Sequence, residues 1–153
     1  MNQRWLIGFA VCCLLGPGGG PAAALPSRQT ETSDQQAKAL FAEGLQRQQE
    51  KRFPEAIQAY ERSLRYDPKQ AQTLNNLGFC YKSMGKFQKA VTYYREALSI
   101  DPQLAEAYEY LGEAYLGMGK LELAQLQYRK LLKLNPKEAA ELKEKIDEKT
   151  KAP

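Results

Sequence analysis

From residue 37 onward, apolar and polar positions follow a helical period. Between residues 71 and 84, Leu74, Leu77, Gly78 and Tyr81 recur at i, i+3, i+4 and i+7, which puts them on one stripe of an amphipathic helix. Gly85 then stops the helix. A second stripe follows, made of Ala90, Tyr94, Ala97 and Leu98.

This two-helix unit repeats. Pro68, Pro102 and Pro136 are each 34 residues apart, and aligning on them brings the other positions into register. Leu40, Leu74 and Tyr108 fall in one column, and Gly44, Gly78 and Gly112 in another. Ala56, Ala90 and Ala124 coincide, as do Tyr60, Tyr94 and Tyr128, and Leu64, Leu98 and Leu132. The small residues mark places where two helices approach closely while large side chains fill the gaps around them. The closing proline of each unit ends the helix and makes the chain fold back. Pro54 suits the first turn of a helix, where no amide hydrogen bond is lost. Beyond Pro136, Ala139, Leu142 and Ile146 form a narrow apolar stripe in a charged segment. It predicts an end helix over 139–150 that covers the last core face, with Glu141 and Lys145 paired at i, i+4. At the other end, Ser33 and Gln36 have the spacing of a capping box, which predicts the start of the first ordered helix.

Leu74, Leu77-Gly78, Tyr81, Ala90, Tyr94, Ala97 and Pro102 closely resemble the tetratricopeptide repeat. Tyr108, Leu111-Gly112, Tyr115, Ala124, Tyr128 and Pro136 repeat the pattern, with Leu131 in place of the late alanine. The first unit departs from it at Glu43, Arg47 and Ser63, as an outer repeat facing water does. The resemblance covers Ala37 to about Glu138. It implies an all-α fold, a right-handed superhelical array of antiparallel helix pairs (an α-solenoid), with repeats at 34–70, 71–104 and 105–138. It further implies that the first helix of each repeat lines a concave groove for a partner protein, peptide or helix. The groove columns carry Lys38, Phe41, Leu45 and Gln48, then Gln72, Asn75, Asn76, Phe79 and Lys82, then Glu106, Glu109, Tyr110, Glu113 and Leu116. Some relatives clamp a C-terminal carboxylate there with lysine, asparagine and arginine. Only Asn76 matches that clamp; Phe41, Leu45, Glu106 and Tyr110 occupy its other positions, which disfavours an acidic chain terminus. The groove reads instead as graded, apolar at Phe41, Leu45 and Phe79 and acidic at Glu106, Glu109 and Glu113. This suits a partner segment with apolar anchors followed by Lys or Arg, although a solvated glutamate face is an equally good reading of the three acids.

The N-terminal segment has a different character. One positive charge in Met1 to Arg4, the apolar run Trp5 to Leu15, the break at Gly16-Pro17 and the small Ala22-Ala23-Ala24 together describe a secretory signal peptide over 1–24. Eleven residues rising about 1.5 Å each fall short of a ~30 Å hydrocarbon core, which argues against a membrane-spanning anchor. Val11 before Cys12 weakens a lipoprotein reading. Residues 25–33 read as a flexible linker. Cleavage near Ala24 leaves one cysteine, Cys80, and no internal disulfide, and it points to the periplasm or the extracellular space, with a bacterial periplasm favoured.

Composition narrows the chemistry. Twenty-two basic against 18 acidic residues, without a basic and aromatic stripe, argue against nucleic acid. Histidine is absent, and with it the commonest metal ligand and general base. Cys80 alone forms neither a catalytic pair nor a metal site and reads as a buried core residue. No glycine loop is placed to cradle phosphate. The sequence therefore describes a binding module with no catalytic residues, metal or cofactor, a scaffold or assembly factor. The other readings are a self-assembling structural repeat protein, with homodimerisation through an unsatisfied end, and a lipoprotein-like adaptor. A membrane enters only if the N-terminal segment stays uncleaved.

Overall fold

A computed structural model describes residues 28–151; the expected signal peptide and residues 25–27 of the linker lie outside the described residues. Among the described residues seven helices follow one another: α1 (Arg28–Gln49), α2 (Phe53–Tyr66), α3 (Ala71–Ser83), α4 (Phe87–Ile100), α5 (Ala105–Gly117), α6 (Leu121–Leu134) and α7 (Pro136–Lys151). Helices α1 and α2, α3 and α4, and α5 and α6 pack as hairpins, each stacked on the next, and α7 packs on both α5 and α6. The described chain is an all-α helical repeat solenoid.

The glycine column explains the close fit within each pair. A methyl group on Gly44 would lie 2.4 Å from the ring of Tyr60, and one on Gly78 would lie 2.6 Å from the ring of Tyr94. Both rings are fully buried, so each tyrosine lies on bare backbone, and no side chain fits between. The third repeat differs. Gly112 meets Leu142 of α7, so the end helix supplies the cover that the repeat's own tyrosine supplies elsewhere. Ala139, Leu142 and Ile146 are all buried, as the stripe predicts. Lys145, however, does not pair with Glu141; it reaches across to α5.

The hairpin turns share one geometry. In the α3–α4 turn, the Lys86 amide donates to the Tyr81 carbonyl and the Gly85 amide to Lys82, the pattern of a helix ending in a left-handed residue. Gly85 has φ +73° and Gly119 +70°; in the first repeat the same column holds Lys51 at φ +58°.

At the N-terminal end, the helix begins at Arg28, before the expected capping box, so residues 28–33 of the expected linker are helical. Ser33 lies inside α1, where its hydroxyl donates to the carbonyl of Tyr66 at 3.4 Å. Ser63, one of the first unit's departures, is also buried and donates to the carbonyl of Ala37 at 2.7 Å. Cys80 is buried as expected, and burial pushes its thiol up to about 12, which leaves it uncharged.

Two substitutions test the packing. Gly78→Ala forces a methyl into the Tyr94 ring and is expected to cost about 1–3 kcal/mol, read as a lower urea midpoint by circular dichroism. Lys51→Gly relieves a left-handed lysine and is expected to raise stability by up to about 1 kcal/mol, with an unchanged spectrum.

Candidate functional site

The groove is built by the leading helices of the repeats. Along α3 and α5, the faces turned toward each other carry Gln72, Phe79 and Lys82 on one side and Glu106, Tyr110 and Glu113 on the other. The centre is aromatic. The rings of Phe79 and Tyr110 lie 5.5 Å apart, Tyr110 lies 6.1 Å from the buried Tyr94, and Phe53 of α2 stands edge-on to Phe79 at 6.4 Å. Pairs of this kind contribute about 0.5–1.5 kcal/mol beyond their buried area. The Lys82 ammonium sits over Tyr110, 4.4 Å from the ring centre, where the negative face of the ring attracts it. Phe79, Tyr110, Phe41 and Leu45 are all half-buried, and each keeps part of its surface exposed.

Several expected groove residues are engaged elsewhere. Asn75 is fully buried and Asn76 nearly so. The Asn75 amide instead donates to the Glu106 carboxylate at 3.4 Å, as does that of Gln72 at 3.3 Å. Leu116 is buried. Gln48 accepts a hydrogen bond from the Tyr60 hydroxyl at 2.9 Å, which holds it against the core. Lys38 is exposed on α1.

The acidic end is corrected most. Glu109 and Glu113 are not free carboxylates awaiting a cationic partner. Lys82 and Lys145 both pair with Glu113, and Lys145 also reaches Glu109 at 3.2 Å. Burial alone would raise the Glu113 carboxyl, but hydrogen bonds from Lys145 and Lys82 outweigh it and hold the group below its usual value. Lys145 is likewise disfavoured by burial and raised by Glu113 and Glu109. This network ties α3, α5 and α7 together across the groove floor. The acids of this end without an ion-pair partner among the described residues lie at its outer edge instead. Glu106 is exposed, and Glu138 at the start of α7 is raised by burial, then by the charges of Glu109, Glu106 and Glu141.

Sequence reasoning missed Lys145, Glu138 and Phe53. Lys145 falls in the column of Leu77 and Leu111, where the repeat has core leucine, so periodicity gave no sign of its role. Phe53 opens an outer helix, and only the stacking of α2 on α3 brings it to the groove.

The network generates a pH dependence. Glu113 is depressed in the folded state, so its contribution is present above the usual carboxylate value of 4.5 and is lost as pH falls through its own lower one. Glu113→Gln is expected to flatten the loss of stability with acid in urea titrations. Lys82→Met, which removes one donor to Glu113, is expected to cost about 1–3 kcal/mol at pH 7.

With this geometry in hand, the chain compares with known proteins as follows. Residues 71–104 and 105–138 each match a family model described as Tetratricopeptide repeat, and residues 44–85 match one described as TPR repeat. No curated protein matches the sequence. The fold is similar to the first TPR of Spaghetti (RPAP3) bound to HSP90 peptide SRMEEVD, at TM-score 0.72 and 26% identity over 78% of this chain and 96% of that one. The Arabidopsis OM64 TPR domain gives TM-score 0.72 and 19% identity over 76% and 98%. The TPR2B-domain:pHsp70-complex of yeast Sti1 gives 0.70 and 19% over 74% and 98%. The family models together span residues 44–138, most of the helical array, and the chain belongs to the tetratricopeptide-repeat family.

Proposed function

We propose that this chain holds a segment of a partner protein in the groove between α1, α3 and α5. Repeats of this family are protein–protein interaction modules, and the observation that carries the reading here is the aromatic floor of Phe79 and Tyr110, 5.5 Å apart and half-buried. Large rings with open surface at the centre of a groove are where binding energy concentrates. The segment carries bulky apolar residues that lie on Phe41, Leu45, Phe79 and Tyr110. A Lys or Arg beyond them meets Glu106 and Glu138 at the edge of the array. Binding is non-catalytic: the groove's carboxylates serve as ion-pair partners.

The first TPR of Spaghetti (RPAP3) is bound to the HSP90 peptide SRMEEVD, an acidic segment. In this chain, Phe41, Leu45, Glu106 and Tyr110 stand where a carboxylate clamp would need cations and amides, and Lys82 and Lys145 are committed to Glu113. These residues favour an apolar and basic segment instead. The charged start, apolar run and alanine exit of residues 1–24 support an exported scaffold or assembly factor, placed in the periplasm or outside the cell.

Affinity capture with the full chain tests the groove. The protein that copurifies is expected to bind Phe79→Ala/Tyr110→Ala at least about tenfold more weakly, and Glu106→Lys more weakly at low salt. Undiminished binding by the double variant contradicts the reading.

A further inference from the structure

The outer face of the array has its own cleft. Helices α4 and α6 stand apart there, with α5 as the floor, and leave an open groove of about 580 Å³. Its walls carry Leu98, Leu123 and Leu126 over a floor of Tyr108, Leu111 and Tyr115. Leu123 and Leu126 are 38% and 46% exposed, high for leucines lining a groove.

The cleft one repeat earlier shows how the same position is closed. Between α2 and α4, the Tyr93 ring stacks flat on Tyr81, 5.3 Å apart, and the Lys89 ammonium caps Tyr81 at 5.3 Å. One period later, Tyr93 is replaced by Gln127, Lys89 by Leu123 and Thr92 by Leu126. Gln127 donates to the carbonyl of Leu123 on its own helix at 3.2 Å, and among the described residues no ring stacks on Tyr115, which is itself buried. The charges change sign as well. Where the earlier cleft has Glu61 and Glu96, the later one has Arg95 and Lys130. Lys130 stands 5.5 Å above the ring of Tyr108, and among the described residues neither cation is within ion-pair reach of a carboxylate.

We propose that the α4–α6 cleft is a second docking site, taking an acidic amphipathic helix from another protein. Its leucine-type side chains fill the space that Tyr93 and Lys89 fill one repeat earlier, and its glutamates or aspartates pair with Arg95 and Lys130. A helix with anchors at i, i+3 and i+7 matches such a groove, and the cationic rim excludes a basic segment. The charge preference is opposite to that of the inner groove, so the two faces select different segments.

The test uses the full chain and a fluorescein-labelled helical peptide of about 16 residues, with leucines at i, i+3 and i+7 flanked by glutamates. The control peptide has lysines for the glutamates. Fluorescence polarisation is expected to show the acidic peptide binding at least about tenfold tighter than the basic one. Leu126→Glu and Arg95→Glu are each expected to weaken it by about tenfold, while Phe79→Ala leaves it unchanged. Both changed side chains are exposed, and circular dichroism confirms that the variants fold. Equal binding of the two peptides, no binding at about 1 mM, or loss with Phe79→Ala overturns the proposal. Self-association of the chain by light scattering that Leu126→Glu abolishes also overturns it, by assigning the cleft to a second copy.

Discussion

A tyrosine ring resting on bare glycine backbone sets the architecture. Tyr60 over Gly44 and Tyr94 over Gly78 bring the two helices of a repeat together more closely than any residue with a Cβ allows. That close approach turns the leading helices to one side, and the shape of the inner surface follows from it. Only when α3 and α5 stand side by side do Phe79 and Tyr110 meet, and only then does Lys82 lie both over the Tyr110 ring and against Glu113.

Exposure to water at the end of the array is resolved by a different device. The last repeat has no following repeat to bury its face, and α7 fills that role with Leu142 on Gly112. The same helix delivers Lys145 to the groove floor. Capping and site construction are thus one event: the apolar stripe of α7 holds it in place, and its lysine neutralises two glutamates that would otherwise repel each other. The inner groove in consequence has an aromatic centre, a balanced ionic floor and an acidic rim at Glu106 and Glu138. The outer face carries the opposite sign at Arg95 and Lys130.

The repeat architecture was legible in the sequence because packing constrains it column by column. Glycine, alanine and tyrosine recur every 34 residues wherever helices touch, and the end helix was visible from three apolar residues alone. The placing of Phe41, Phe79, Tyr110 and Glu106 on the leading helices α1, α3 and α5 followed from the same register. What escaped depends on rotation and reach. Asn75 and Asn76 sit in groove columns, yet both are buried, Asn75 against Glu106 of α5 and Asn76 beside Tyr60 of α2. Lys145 sits in a core column, yet its long stem carries the charge back to α5. Ser33 has the spacing of a helix start, but α1 begins at Arg28 and Ser33 lies inside it, its hydroxyl on the Tyr66 carbonyl.

The claim beneath this account is that α3 and α5 share one inner surface with Lys82 held over the Tyr110 ring. Proton NMR of the folded chain measures it directly. The account predicts that the Lys82 side-chain methylene resonances are shifted upfield by the ring and return toward ordinary lysine positions in Tyr110→Leu. Lys82 resonances at ordinary positions in the unaltered protein, unmoved by that substitution, would contradict it.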